Sequence, residues 1–186
     1  MQKRALVLID LQNDYFLGGK WPLNGVDAAA DNAATLLAAA RAAGDLVIHV
    51  RHEFLSADAP FFAPGTEGAK IHPKVREFDG EPVVLKHHVN SFRETDLKAI
   101  LDRHRIEELV VCGAMSHMCV DAGVRAASDL GYKCVVVHDA CATRDQEFER
   151  TVVPAAAVHA AFMSALRFGY AQLVSTEEYL AGLPNN

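Results

Sequence analysis

Short apolar segments recur along the chain, and stretches of helical period lie between them. The segments are nearly continuous in apolar and β-branched residues, which is typical of strands buried on both faces of a parallel sheet. Six strands are therefore predicted, over residues 5–10, 46–51, 83–86, 109–113, 134–139 and 172–175.

The stretches between these strands predict helices. In the first, apolar residues from Ala33 to Ala40 follow the i, i+3, i+4, i+7 spacing of one helical face, and Gly44 marks the end. Five helices are predicted, over residues 27–43, 95–104, 119–130, 153–168 and 176–180. Strands that alternate with helices through right-handed crossovers predict an α/β fold, a three-layer α/β/α sandwich around a six-stranded parallel sheet.

Length and composition favour one domain, and they argue against a membrane-spanning protein and a nucleic-acid-binding protein. A chain of 186 residues has the usual size of one domain, so a single domain is predicted over residues 1–186. Aliphatic stretches such as residues 5–9 are far shorter than the roughly 20 residues of a membrane span. With 18 basic against 24 acidic residues and no basic cluster longer than two, the chain has no electrostatic basis for binding nucleic acid.

The four cysteines lack the CxxC spacing of a metal or redox motif, and they are Cys112, Cys119, Cys134 and Cys141. A chain with an adequate core does not depend on disulfides, so neither a disulfide framework nor a zinc knuckle is indicated. Reduced cysteines are typical of the cytoplasm, and a cytoplasmic location is predicted.

Three chemically reactive side chains follow predicted strands and converge at one edge of the sheet. They are Asp10, Lys86 and Cys119, and ligands of such sheets bind beyond the carboxyl ends of the strands. Cys119 is predicted to open a helix, whose free amides and dipole lower a thiol pKa and favour the thiolate. Asp10 would accept the thiol proton and Lys86 would hold Asp10 ionised. Taken singly, each residue also fits a structural role, as a loop cap, a solvated cation or a buried apolar thiol.

Two long loops, residues 11–25 and 52–81, are predicted to line a site because long loops in a compact domain usually do so. Tyr15, Trp21 and Phe61 from these loops are predicted pocket residues. His117, close to Cys119 in the chain, is a fourth. Packing in the core or between subunits is the alternative for the aromatic side chains.

Five motifs occur together in order: LIDLQNDYF at 8–16, GTEGA at 65–69, VLK at 84–86 followed by Ser91-Phe92, VVCGA at 110–114 followed by Cys119-Val120, and GY at 131–132 leading to Asp139-Ala140. Together they resemble the isochorismatase-like cysteine hydrolases over nearly the whole chain. The resemblance implies a catalytic triad of Asp10, Lys86 and Cys119. It also implies a cis peptide between Ala114 and Met115, with backbone amides of Met115 and Cys119 as oxyanion donors. Family members commonly form dimers or tetramers, so a homo-oligomer is expected.

The chain departs from the nicotinamide-hydrolysing members at their metal ligands. In those members, the metal ligands follow the pattern Asp-x-His after the second strand, with another His before the Gly-Thr loop. This chain has Arg51, Glu53 and Phe61 at the corresponding places. A guanidinium stays charged and repels a divalent ion, so neither a metal nor another cofactor is expected.

Cys119 reduces the number of reactions that the family resemblance allows. Members of the family that cleave the vinyl ether of isochorismate do not keep this cysteine. The chain is therefore predicted to hydrolyse a C–N bond of a small amide, lactam or ureido compound through a thioester. The alternatives are a thiol-based redox protein and an isochorismatase-type ether hydrolase. A nucleotide-binding module is disfavoured because no G-x-G-x-x-G follows the first strand.

Overall fold

Six parallel strands form one sheet in the computed structural model, which describes residues 3–183. The ends of the predicted domain, residues 1–2 and 184–186, lie outside the described residues. Residues 3–183 contain eight strands in all: β1 (Arg4–Ile9), β2 (Leu46–His52), β3 (Val83–Lys86), β4 (Glu108–Ala114), β5 (Lys133–Ala142), β6 (Gln146–Phe148), β7 (Thr151–Val153) and β8 (Gln172–Val174). The sheet has the order β3-β2-β1-β4-β5-β8, and all its pairs are parallel.

Helices cover both faces of the sheet, which confirms the predicted three-layer α/β/α sandwich. They are α1 (Val26–Ala43), α2 (Leu97–His104), α3 (Asp121–Asp129), α4 (Ala155–Gly169) and α5 (Thr176–Ala181). Leu36 and Leu37 of α1 pack on one face together with α5. Leu101 of α2, Val124 of α3 and Leu166 of α4 pack on the other face. Within residues 3–183, the helices are all too short or too polar to cross a membrane.

The central strand β1 contributes side chains to both buried layers, because successive residues of a strand point to opposite faces. Val7 and Ile9 join the cluster under α2, α3 and α4, whereas Leu6 and Leu8 join the cluster under α1 and α5. Burying an aliphatic side chain of this size contributes about 1.5–3 kcal/mol. The near-continuous apolar pattern of this segment is therefore a consequence of its central position.

The edge strand β3 differs from its prediction as a strand buried on both faces. Val83 and Leu85 are 40% and 38% exposed, while Val84 and Lys86 are buried. Val84 packs in the same cluster as α2, whereas neither exposed residue belongs to a buried cluster. An edge strand is covered less completely than a central one, so the apolar pattern overstated its burial.

A short antiparallel hairpin, β6 paired with β7, was not predicted. The helix expected from residue 153 begins only at Ala155, because Val153 ends β7 and Pro154 is the residue before the first turn of α4. Proline lacks an N–H and is tolerated only at the start of a helix. The predicted helix at 95–104 is also shorter and begins at Leu97.

Gly113 lies where β4 passes β1, and it provides a test of how tightly the sheet is packed. Its φ is +129°, and a Cβ at this position would overlap the backbone of Ile9. We expect Gly113→Ala to lower the free energy of unfolding by about 3 kcal/mol or more, since backbone strain and overpacking add. Urea denaturation followed by circular dichroism measures this loss.

Gly169→Ala is the matched control, because a Cβ on Gly169 at the end of α4 meets nothing within 4 Å. This variant should keep or gain up to about 1 kcal/mol from better helix propensity. Equal stability of the two alanine variants would contradict the close contact between β4 and β1.

Candidate active site

Asp10 follows β1 in a left-handed backbone conformation, with a φ of +52°. Aspartate adopts this conformation more readily than most residues. Its amide donates to the carbonyl of Val50 in β2 at 2.8 Å, which fixes the turn against the neighbouring strand. The side chain is fully buried, and its Oδ2 lies 2.8 Å from Nζ of Lys86.

Lys86 is the last residue of β3, and its ammonium group is fully buried. Nζ lies 2.8 Å from Asp10 Oδ2, 3.0 Å from His52 Nδ1 and 3.2 Å from Cys119 Sγ. Burial alone lowers the pKa of Lys86, but its contacts with Asp10 and Cys119 outweigh burial and raise it. The lysine is therefore a permanent cation, and its three N–H donors face three acceptors.

Cys119 lies in a π-helical turn, Ser116–Val120, which precedes α3. The prediction that it opens an α-helix, with a depressed thiol pKa, is wrong. The side chain is only 7% exposed, and burial together with the charge of Asp10 raises the thiol pKa well above its usual value, although Lys86 opposes the shift. The resting thiol is therefore neutral, because desolvation outweighs any effect of a helix end.

The three side chains form a path for one proton. Asp10 pairs with the Lys86 ammonium, which also donates to Sγ of Cys119, and the carboxylate charge acts on the thiol. A proton that moves from Sγ to Asp10 leaves a thiolate beside the Lys86 ammonium, so the charge that develops on sulfur is compensated at once. The arrangement can therefore form a thiolate nucleophile when the thiol proton moves to Asp10.

The backbone beside Cys119 has the feature implied by the resemblance, since the peptide bond between Ala114 and Met115 is cis. The carbonyl of Met115 accepts from the amides of Met118 and Val120 at 3.0 and 3.3 Å. The role of the Met115 and Cys119 amides as oxyanion donors stays a prediction.

Three of the predicted pocket residues belong to one aromatic cluster. Trp21 stacks on Phe61 with 4.8 Å between ring centroids, and Tyr15 lies 5.9 Å from Phe61. Burial raises the pKa of Tyr15, and the negative charge of Asp10 adds to the shift. The cluster therefore borders the candidate site, although its contact with a substrate stays a prediction.

His117, the fourth predicted pocket residue, makes its contacts elsewhere. Its Nδ1 lies 2.6 Å from Oγ1 of Thr143, and its ring meets Phe162 of α4 edge-on at 5.8 Å. Neither of these partners belongs to the aromatic cluster. The structure thus brings Tyr15, Trp21 and Phe61 together but does not join His117 to them.

Comparison with known proteins agrees with this geometry. The family model described as Isochorismatase domain matches residues 4–171. The chain belongs to the isochorismatase family. It is 51% identical over 176 residues to the isochorismatase family protein YddQ of Bacillus subtilis, a match that covers 95% of this chain and 98% of that protein. A streptothricin hydrolase of Streptomyces noursei is 39% identical over 142 residues, which cover 76% of this chain and 50% of that protein.

A solved structure extends the comparison to the fold. The crystal structure of an isochorismatase hydrolase from Oleispira antarctica has a TM-score of 0.95 to this chain and 60% sequence identity, and the match covers 97% of each chain. The resemblance of the five motifs to the isochorismatase-like hydrolases is confirmed.

Two buried residues of this isochorismatase-like site, Gln12 and His52, have contacts that the sequence did not predict. Gln12 Nε2 donates to the carbonyls of His52 and Ala69 at 2.8 Å each, and its Oε1 accepts from the amide of His52 at 2.7 Å. Gln12 thereby ties the loop after Asp10 to the end of β2. The parallel register that pairs His52 with Lys86 was the available signal, because both residues end strands at the same edge.

Arg51 and Glu53 form an ion pair of 2.5 Å. They line a surface groove of about 430 Å³ together with Lys70 and Arg76. Among residues 3–183, His, Cys, Asp and Glu form no group of three or more that could hold a metal ion.

The other cysteines are buried in strands, and burial raises the pKa of each. Cys141 lies inside β5 and not after it, as the predicted strand end at residue 139 implied. Asp139 also lies inside β5, where its Oδ1 accepts from the amide and hydroxyl of Thr176 at 2.8 Å. Asp139 is therefore a structural residue and does not join the candidate site.

The neutral resting thiol has a testable consequence. Asp10 raises the pKa of Cys119, so we expect Asp10→Asn to lower that pKa by at least about one unit and to speed alkylation by iodoacetamide at pH 7 about tenfold. Lys86→Met should act in the opposite direction. Peptide mass spectrometry across a pH series measures both effects.

Cys134 serves as the internal control, since burial alone raises its pKa, to about 11. Its alkylation should not change in either variant. Slower alkylation of Cys119 in Asp10→Asn would contradict the assigned direction of the coupling.

Proposed function

We propose that this isochorismatase-like hydrolase is a cysteine amidohydrolase that cleaves the C–N bond of a small amide, lactam or ureido compound. The observation that carries the proposal is the buried Lys86 ammonium within 2.8 Å of a carboxylate and 3.2 Å of a thiol. The similarity to streptothricin hydrolase supports hydrolysis as the class of reaction.

In the proposed reaction, Sγ of Cys119 attacks the substrate carbonyl carbon while Asp10 accepts the thiol proton. The carbonyl oxygen becomes an oxyanion, which the backbone amides of Met115 and Cys119 stabilise. Protonated Asp10 then donates its proton to the leaving nitrogen, and the C–N bond breaks. The product is a thioester on Cys119 and a free amine or ammonia.

Hydrolysis of the thioester uses the same groups in the same order. Asp10 accepts a proton from water as the water oxygen attacks the thioester carbonyl, and the C–S bond breaks. The carboxylic acid leaves, and the proton on Asp10 returns to Sγ. Lys86 stays protonated throughout, so it stabilises Asp10 at rest and the thiolate after proton transfer.

The aromatic cluster of Tyr15, Trp21 and Phe61 supports a small, flat substrate, because ring faces bind planar amide and ureido groups well.

A homo-oligomer and a cytoplasmic location stay predictions. Light scattering would measure the first.

A panel of amides tests the proposed reaction. We expect ammonia release from at least one compound among carbamoyl amino acids, lactams, biuret-like ureas and simple carboxamides, and hydroxylamine should divert the thioester to a hydroxamate. Cys119→Ala should abolish turnover, and Asp10→Asn should lower kcat by about 10² to 10⁴.

Cys134→Ala is the matched control, since this buried cysteine lies outside the site and its loss should change kcat less than about tenfold. Turnover by Cys119→Ala would contradict the proposal. Consumption of peroxide or cleavage of a vinyl ether, without any amide turnover, would favour the alternative redox or ether-hydrolase function.

Chelation tests the proposed independence from metal. Arg51 carries a charge that cannot be removed, and it pairs with Glu53, so these positions do not offer ligands to a divalent ion. We expect dialysis against EDTA to leave amidase activity unchanged and nicotinamide to be a poor substrate. Activity lost on chelation and restored by one equivalent of a divalent ion would contradict this prediction.

A further inference from the structure

We infer that His52 is a positioning residue that holds the Lys86 ammonium between Asp10 and Cys119. The inference rests on the proposed function, because Lys86 is there the group that compensates the charge on sulfur. His52 reaches Cys119 and Asp10 through Lys86, so we do not assign it a direct part in the chemistry.

The backbone of His52 is fixed by the pairing of β2 with β3 and by hydrogen bonds from Gln12. It ends β2 and pairs in register with Lys86, which ends β3. The side-chain amide of Gln12, two residues after Asp10, bonds both its amide and its carbonyl. The backbone of His52 is therefore held by the same loop that carries the carboxylate, and the side chain is only 6% exposed.

The contact with Lys86 determines which nitrogen of His52 carries the proton. An ammonium group can only donate, so Nδ1, 3.0 Å from Nζ, must accept and Nε2 must be protonated. The ring meets Phe54 edge-on at 4.6 Å. His52 is thus a neutral acceptor of one fixed tautomer.

Burial and the charge of Lys86 keep His52 neutral. Burial lowers its pKa to about 4, and the charge of Lys86 and the neighbouring His87 act in the same direction. Asp10 and the backbone of His88 oppose the shift without reversing it. Between pH 5 and 9 the imidazole therefore stays an acceptor.

A neutral acceptor suits this place for an electrostatic reason. Two of the three N–H donors of Lys86 face Asp10 and Cys119, and the third would be buried without a partner in the absence of His52. A carboxylate here would satisfy that donor but would add a second negative charge beside the thiol and compete with the thiolate for the ammonium. Histidine fixes the direction of Lys86 and leaves its charge available to sulfur.

Two variants separate this role from a purely structural one. In His52→Asn, the amide oxygen lies near the place of Nδ1 and can still accept from Lys86, whereas in His52→Leu no acceptor remains. The matched control is His49→Leu, which removes another buried histidine of β2. His49 is bound to Glu81 at 2.9 Å and pairs in register with Val83, at the opposite end of β3 from Lys86.

The first readout is the alkylation rate of Cys119 by iodoacetamide across a pH series, which requires no substrate. The titratable groups that face this thiol are Asp10, Lys86 and Tyr15, and they are unchanged in all three variants. We expect His52→Leu to slow alkylation about tenfold at pH 8, His52→Asn to restore it to within about threefold, and His49→Leu to leave it within about twofold. Thermal unfolding monitors the fold in parallel.

The second readout is kcat and KM on an amide identified in the panel. His52→Leu should lower kcat about 10- to 100-fold with little change in KM, and His52→Asn should recover most of the loss. Unchanged alkylation and kcat in folded His52→Leu, or a loss in His52→Asn equal to that in His52→Leu, would overturn the inference. Failure of every amide in the panel, together with the expected alkylation pattern, would contradict the proposed function and support the inference.

A measurement on the unmodified protein covers the case in which His52→Leu does not fold. Nitrogen-15 NMR of the imidazoles should show His52 neutral, protonated at Nε2, and without titration between pH 5 and 9. A His52 ring that titrates near pH 6.5, or one protonated at Nδ1, would overturn the inference.

Discussion

The buried ammonium of Lys86 is the constraint around which the rest of the site is arranged. A charge without solvent is stable in a protein only when counter-charges and acceptors surround it. Asp10 supplies the counter-charge, and His52 and Cys119 supply the remaining acceptors. The ends of β1, β2 and β3 and the turn before α3 must therefore meet at one point. Parallel strands make this possible, because their carboxyl ends lie along the same edge.

The same arrangement explains why the thiol is neutral at rest. Asp10 and Cys119 compete for one cation, and the stronger acid holds the charge while burial penalises a second anion. The Cys119 thiol is thus protonated and of low reactivity at rest, and in the proposed reaction it becomes a thiolate by proton transfer to Asp10. A buried thiol of this kind resists alkylating and oxidising agents better than an exposed thiolate.

Much of the fold was predictable because the strands of a parallel sheet buried on both faces are near-continuous apolar segments in the sequence. Features without that signature were missed. The three-residue strands β6 and β7 are too short for a periodic pattern, and the π-helical turn around Cys119 replaces the expected helix start. Asp10 and Lys86 were identifiable from their places at strand ends, and Cys119 from its place in the segment that follows β4. His52 was not assigned, because its role arises from the register between β2 and β3, which no local pattern encodes.

Lys86 is carried by the edge strand of the sheet, and this location couples the site to local unfolding. β3 has four residues, and among residues 3–183 it pairs with β2 alone. Short edge segments fray at a free energy below that of global unfolding. Each such opening withdraws the cation from Asp10 and Cys119 and admits water to both. The lifetime of the assembled site is therefore governed by an edge strand of the sheet, whereas the lifetime of the fold is governed by its centre.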